Sequence, residues 1–246
     1  MGIPLQVLYL SRVKPDLFKK HIRKVLLSTD YVPDALVSEL SHDGVCKVFN
    51  HYGMTEMGYG GGVECECLTG YHLRENDLYF EIIDPLSGKL VEEGQYGEVV
   101  FTTLHRQAMP LIRYRTGDMA RFVTKPCACG TFLRTMEKVL GRIDNTVCIE
   151  GHAIHLREFD EILLRFPSLL DYKLTVCENN TLHVKIVVAD KEACEALKEE
   201  IAKQIRAHFQ FEFDLVIEVA EDDHSIKITN SMIKRKLQDD RQGVKR

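Results

Sequence analysis

The run Tyr52-Gly53-Met54-Thr55-Glu56 puts an aromatic ring, a hydroxyl and a carboxylate within one short stretch, just after the apolar residues 45–49 (VCKVF). A strand there delivers His51 and Tyr52 to its C-terminal end, where α/β sheets carry their ligand loops. The ring offers a stacking plane and the Thr55 hydroxyl can bond a phosphate oxygen. Glu56 can hold Mg2+, a hard cation that prefers oxygen. A ligand-free strand-to-loop turn accounts for the same residues. A second segment, Arg113-Tyr114-Arg115-Thr116-Gly117-Asp118, ends in a carboxylate suited to accept both hydrogen bonds of a ribose diol. Its plainer reading is a β-turn with Asp118 as a local cap. In a third, Gly141-Arg142-Ile143-Asp144-Asn145 followed by Gly151, Arg142 can reach phosphate or ribose. Asp144 falls at a polar break that suits a hinge; an interdomain turn is the alternative.

The chain has eight cysteines. Cys46, Cys148, Cys177 and Cys194 sit among apolar neighbours and read as buried thiols. Cys127-Ala-Cys129, either Cys65 or Cys67, and His72 together make a Cys3His set of the kind that holds structural Zn2+ tetrahedrally. Unmetallated thiols beside a surface histidine are the alternative. The glycines between 58 and 62 are followed by neither a lysine nor a helix N-terminus. They read as a sharp backbone turn and not as a phosphate cradle.

The elements that must position these groups fall into two halves. Residues 15–28 begin as an amphipathic helix and run into a short apolar strand, and residues 33–41 form a second helix with proline in its first turn. From residue 78, LYFEIID and GEVVFTT read as strands joined by Gly/Pro-marked turns, with further strands near 111–114 and 120–123. That section predicts a β-roll. Beyond Gly141, strands at 146–149 and 153–156 precede a helix at 158–165, strands at 172–177 and 182–188 flank Asn179-Asn180, a helix covers 193–208, and a strand covers 215–219. A short helix is expected at the end. This α–β–β–α–β series predicts a small ferredoxin-like domain. The expected organisation is therefore α+β. Residues 1–143 form part of a large domain (α/β over 1–75, β-roll over 76–143), and 144–246 form a small mobile domain.

Composition excludes little but agrees. The 246 residues are 45% hydrophobic and 28% charged, ordinary for a globular protein, and the net charge of −5 gives no reason to expect nucleic acid. No apolar run approaches the roughly 18–20 residues that span a bilayer. The N-terminus has no basic region or cleavage site of a secretory signal, so a cytoplasmic location and no membrane contact are expected.

In this order and spacing the three polar segments resemble motifs of the adenylate-forming superfamily of acyl-CoA synthetases, adenylation domains and luciferases. HYGMTEMG, GYHLRENDLYFEIIDP, GEVVFTT and MPLIRYRTGD look most like the phenylacetate–CoA ligase and coenzyme F390 synthetase group. The resemblance implies a two-step reaction. ATP and a carboxylic acid form an acyl-adenylate and pyrophosphate, and the thiol of CoA then displaces AMP. It implies Tyr52 at adenine, Thr55 at phosphate, Glu56 at Mg2+, Asp118 at ribose, Arg142 at the nucleotide and Asp144 as hinge, with Gly53 and Gly151 beside the ligand. It also selects Cys65, with His72, Cys127 and Cys129, for zinc. A catalytic lysine is expected near the end. Ungapped, Met232 or Ile233 takes its place, and Lys234 fits with a shift. The lysine-containing phosphate loop of the family's N-terminal portion has no counterpart here. The chain is thus expected to be a C-terminal portion, unable to complete adenylation alone, with a separately encoded N-terminal half as partner. A homodimer is another expected assembly. The alternatives are an F390-synthetase-like adenylyltransferase and a non-catalytic nucleotide-binding remnant.

Overall fold

The computed structural model describes residues 1–41, 44–143, 145–189, 194–220 and 235–241. The chain divides into two compact units. One comprises Met1, Lys24–Tyr31 and Val48–Asp144, and the other Gly2–Arg23, Val32–Lys47 and Asn145–Arg246. The second unit thus takes in two N-terminal stretches as well as the region expected to form the small domain.

The first unit is built on two sheets. β1 (Lys24–Leu27), β2 (Lys47–Tyr52), β3 (Gly62–Glu64), β4 (Tyr71–Leu73) and β8 (Thr135–Met136) lie side by side in the order β1-β2-β3-β4-β8. β5 (Leu78–Ile83), β6 (Gly97–Thr103), β7 (Tyr114–Ala120) and β9 (Gly141–Arg142) form an antiparallel sheet in the order β5-β6-β7-β9. One apolar core joins them, with Tyr52, Leu73 and Met136 from the first sheet packed with Phe80, Val99 and Phe101 from the second. Burying such side chains stabilises by roughly 1.5–3 kcal/mol each. Glu64 is a buried carboxylate in the thin strand β3. It accepts the Asn50 main-chain N–H at 2.8 Å and the Asn50 amide at 2.7 Å, which ties β3 to β2.

The second unit contains α1 (Pro4–Val13), α2 (Pro15–His21), α3 (Asp34–Leu40), α4 (Leu156–Leu163) and α5 (Cys194–Phe209). Its strands are β10 (Thr146–Ile149), β11 (His152–His155), β12 (Leu169–Val176), β13 (Leu182–Val188), β14 (Leu215–Val219) and β15 (Gln238–Asp239). β10 and β11 make a hairpin, and the other four form a sheet in the order β14-β13-β12-β15. α4 starts on a capping box in which Glu158 accepts the His155 N–H at 2.8 Å. α3 starts on Pro33, which offers no side-chain cap. Its orphan Asp34 and Ala35 N–H groups are accepted instead by the Glu161 carboxylate of α4, at 2.7 and 3.0 Å. Arg12 closes the unit: its side chain is 5% exposed, pairs with Glu39, donates to the Leu164 carbonyl at 2.7 Å and also donates to the Leu169 carbonyl.

The order α4-β12-β13-α5-β14 follows the predicted series. Several details differ. α1, β3, β4, β8, β9 and β15 were not expected. β2 runs on to include His51 and Tyr52, and the separate strands expected near 111–114 and 120–123 are replaced by the single strand β7. Residues 235–241 hold β15 where a terminal helix was expected, because Gln238 and Asp239 pair in parallel with Thr175 and Val176.

Asp171 is 3% exposed and accepts the Tyr172 N–H at 2.7 Å. Burial pushes its carboxyl up to about 6, with Arg235 opposing the shift and Asp160 adding to it. A raised folded-state value stabilises at low pH, and that stability is lost as pH rises from about 4 through about 6. Asp171→Asn does not titrate. Thermal melts should show no advantage for it near pH 4 and a gain on the order of 3 kcal/mol above pH 7.

Candidate functional site

The first unit brings the polar segments together. β2 ends on Tyr52, whose hydroxyl donates to Asp118 Oδ2 on β7 at 3.0 Å, and both residues are buried, with exposures of 6% and 3%. The Tyr52 ring lies on Tyr71, with centroids 5.6 Å apart and planes 30° apart. Burial first, then the Asp118 charge, push the Tyr52 phenol well above its ordinary value, so it remains a donor. Arg142 on β9 is the cross-strand partner of Asp118. Its guanidinium lies 3.8 Å from Asp118 Oδ1 and donates to the Thr116 carbonyl at 3.2 Å.

Local irregularity aims Asp118. The β6–β7 register shifts between Glu98 and Val100, and Gly117 has φ 74. A bulge with glycine in the left-handed region costs little and redirects the next side chain. Buried Glu98 secures it by accepting the Gly117 N–H at 3.0 Å and pairing with Arg115. Thr116 Oγ1 accepts the Asp118 N–H at 3.0 Å and donates to the Val99 carbonyl at 2.7 Å.

After Tyr52 the chain passes Gly53 and enters a 3-10 turn at Thr55–Met57. Arg74 donates to the Met57 carbonyl and Arg106 to the Glu56 carbonyl, both at 2.7 Å, while the Tyr114 hydroxyl lies 3.4 Å from Glu56 Oε1. Thr55 is exposed and Glu56 half-buried. A Cβ on Gly60 would lie 2.1 Å from His51 Nε2, so the glycine run admits the His51 ring beside the turn. His51 Nδ1 in turn meets Ser28 Oγ at 2.8 Å, and Thr29 next to it has φ 85, a strained value for a β-branched residue. Arg74, Arg106 and Ser28 escaped the sequence reading, since each lies far along the chain from the segment it touches. Gly151 lies in the second unit. It has φ 80 after Glu150 at φ 48, forming the two-residue turn of the β10–β11 hairpin. Asp144 and Lys234 lie outside the described residues.

At the far end of the same segment, Cys65, His72, Cys127 and Cys129 place one donor atom each within 4.8 Å of one another. Cys65 Sγ is 3.6 Å from Cys127 Sγ, and Cys129 Sγ is 3.4 Å from His72 Nε2. A tetrahedral ion with about 2.3 Å bonds to sulfur and about 2.0 Å to nitrogen separates its ligands by roughly 3.5–3.8 Å. His72 Nδ1 meets Thr135 Oγ1 at 3.1 Å, which orients the ring so that Nε2 faces the cysteines. The Cys127 thiol is lowered to about 6, chiefly by the Cys129 main-chain N–H and the Thr69 hydroxyl. The donor set fits zinc, and Cys67 stands beside it with its N–H donated to Cys65 Sγ at 3.3 Å.

No protein-family model matches the chain. It is 33% identical over 200 residues to a phenylacetate–coenzyme A ligase of Thermus thermophilus, which covers 78% of this chain and 42% of that enzyme. A phenylacetate–coenzyme A ligase of Pseudomonas putida is 34% identical over 171 residues, covering 64% and 38%. The chain thus spans less than half the length of these relatives. Among solved structures, a 2-hydroxyisobutyryl-CoA ligase in complex with an acyl-AMP superposes with TM-score 0.80 at 21% identity, over 98% of this chain and 54% of that one. An anthranilate CoA ligase with anthranoyl-AMP gives TM-score 0.64 at 15% identity, over 90% and 45%. The chain has the mixed α/β fold of the adenylate-forming ligases, and in sequence it resembles phenylacetate–CoA ligases.

Tyr52→Phe removes the donor to a buried carboxylate while keeping the ring on Tyr71. It should lower stability by about 1–3 kcal/mol, read as a shifted urea midpoint at neutral pH. An unmoved midpoint would mean that the bond contributes nothing.

Proposed function

We propose that this chain belongs to an AMP-forming acid–CoA ligase of the phenylacetate–CoA ligase kind, and that its first unit supplies the ribose and magnesium ends of the nucleotide site. The observation that carries this reading is the convergence of Tyr52, Asp118 and Arg142 beside the Thr55–Met57 turn. Because the chain aligns with 42% of the Thermus enzyme, the complete reaction and its acid and CoA substrates are part of the proposal.

The chemistry asks for this arrangement. A carboxylate is a poor acyl donor until one oxygen becomes a good leaving group, and joining it to AMP does that. Asp118 accepts the ribose diol, Arg142 offsets phosphate charge, and Thr55 bonds a phosphate oxygen. Mg2+ supplies charge neutralisation on the phosphates when bound, and Glu56 is the residue here that would hold it. Tyr52 was expected as the adenine platform. With its ring on Tyr71 and its hydroxyl on Asp118, we assign it first to holding that carboxylate. Cys65, His72, Cys127 and Cys129 would hold a structural Zn2+, away from the chemistry. No helix among the described residues is long and apolar enough to cross a membrane, and a cytoplasmic setting completes the proposal.

Calorimetry with AMP tests the ribose assignment. The native chain should bind, and Asp118→Ala should bind at least tenfold more weakly, a loss of about 1.4 kcal/mol. Equal affinity in both, or none in either, sinks it.

Zinc is tested by metal analysis of the purified chain. About one equivalent is expected for one four-ligand site, falling to none in Cys127→Ser/Cys129→Ser. Metal-free protein with all eight thiols freely titratable would refute the assignment.

A further inference from the structure

The Thr55–Met57 turn is held by three side chains that no motif argument assigns. Arg74, just past β4, fixes the Met57 carbonyl, and Arg106, in the loop after β6, fixes the Glu56 carbonyl. These two bonds pin the backbone and leave the direction of the Glu56 side chain open. That direction falls to Tyr114, the first residue of β7, whose hydroxyl sits 3.4 Å from Glu56 Oε1. The Tyr114 ring rests against the fully buried Phe101, with centroids 5.3 Å apart, so the hydroxyl is presented from a rigid mount.

We propose that Tyr114 is a positioning residue for cation binding: its hydroxyl occupies Glu56 Oε1 and turns Oε2 toward a divalent cation carried by a nucleoside triphosphate. The inference rests on the assignment of Glu56 made above and deepens it. A carboxylate has two oxygens, and engaging one with a neutral donor leaves the other to a hard cation without lowering the charge of the group. Groups that orient a metal ligand in this way typically contribute 10–100-fold to metal affinity. The same construction recurs at the other acid of the site, where Tyr52 engages Asp118 Oδ2. A tyrosine therefore holds each of the two acids assigned to the nucleotide.

The test compares three ligands by calorimetry on the full chain: ATP with excess Mg2+, ATP with chelator, and AMP without metal. Tyr114→Phe keeps the ring against Phe101 and removes the hydroxyl. It should weaken Mg2+–ATP binding about tenfold while leaving AMP and metal-free ATP within twofold of the native chain. A parallel loss for all three ligands would show that Tyr114 merely supports the fold. An unchanged Mg2+–ATP affinity would show that it positions nothing. Glu56→Gln separates failure of the inference from failure of the reading beneath it. If that variant keeps the full Mg2+ enhancement, Glu56 is no cation ligand and both ideas fall. If it loses the enhancement while Tyr114→Phe keeps it, the proposal for Tyr114 alone is overturned.

Discussion

Asp118 is a carboxylate with almost no contact with water, and the first unit is arranged around keeping it satisfied. An unpaired buried charge costs several kcal/mol, far more than any one contact nearby could return. Its partners come from separate places, the Tyr52 hydroxyl from the end of β2 and the Arg142 guanidinium from β9, while the Thr116 hydroxyl holds the main chain beneath it by accepting the Asp118 N–H. Because Tyr52 and Asp118 belong to different sheets, their bond sets where the tip of one sheet stands against the other. The core of Met57, Leu73, Phe80 and Phe101 presses those sheets together, but apolar packing is not directional. The polar bond selects the register.

The stretch from Asn50 to His72 shows how one strand pair serves two ends. Its first part supplies the tyrosine and the turn, and its last part supplies Cys65 and His72. β3 and β4 connect them, with Gly62 opposite both Tyr52 and Leu73 and Val63 opposite both His51 and His72. The glycines allow close approach: a Cβ on Gly62 would meet the His72 carbonyl at 3.0 Å. The tyrosine end and the cysteine end are therefore joined through a few pleated residues.

Much of this could be read in the sequence because its cause is local. β13 and β14 have the apolar runs that strands need, whereas Thr116-Gly117-Asp118 read as a turn and is a bulge inside the continuous strand β7. The failures have physical reasons. β3 and β4 have three residues each, too few to display a period, and they exist through their neighbours and the Glu64–Asn50 bonds. α1 is apolar on most sides with no clear polar face, and it is explained by its packing against α2, α3 and β12. Arg74, Arg106 and Tyr114 act on a turn to which nothing in their own segments points. The Cys3His grouping was legible up to the choice between Cys65 and Cys67, because zinc chemistry constrains residue type, and the family resemblance made that choice. The partner of His51 was not legible, since a serine after an apolar strand has many uses.

Arg12 carries a consequence for how the chain comes to be folded. Its guanidinium is shared among Glu39, Leu164 and Leu169, so this side chain in the last turn of α1 lacks part of its partners until residues beyond 160 exist. The first unit closes largely through hairpins between neighbours, whereas the second is assembled from stretches on both sides of it. Contacts of long sequence separation form late and slowly. During synthesis, α1 and α3 can meet each other early, but they gain their contacts with β12 and α4 only after the sheet region between them has been made. The residues of α1 are thus among the last of these segments to find all their partners.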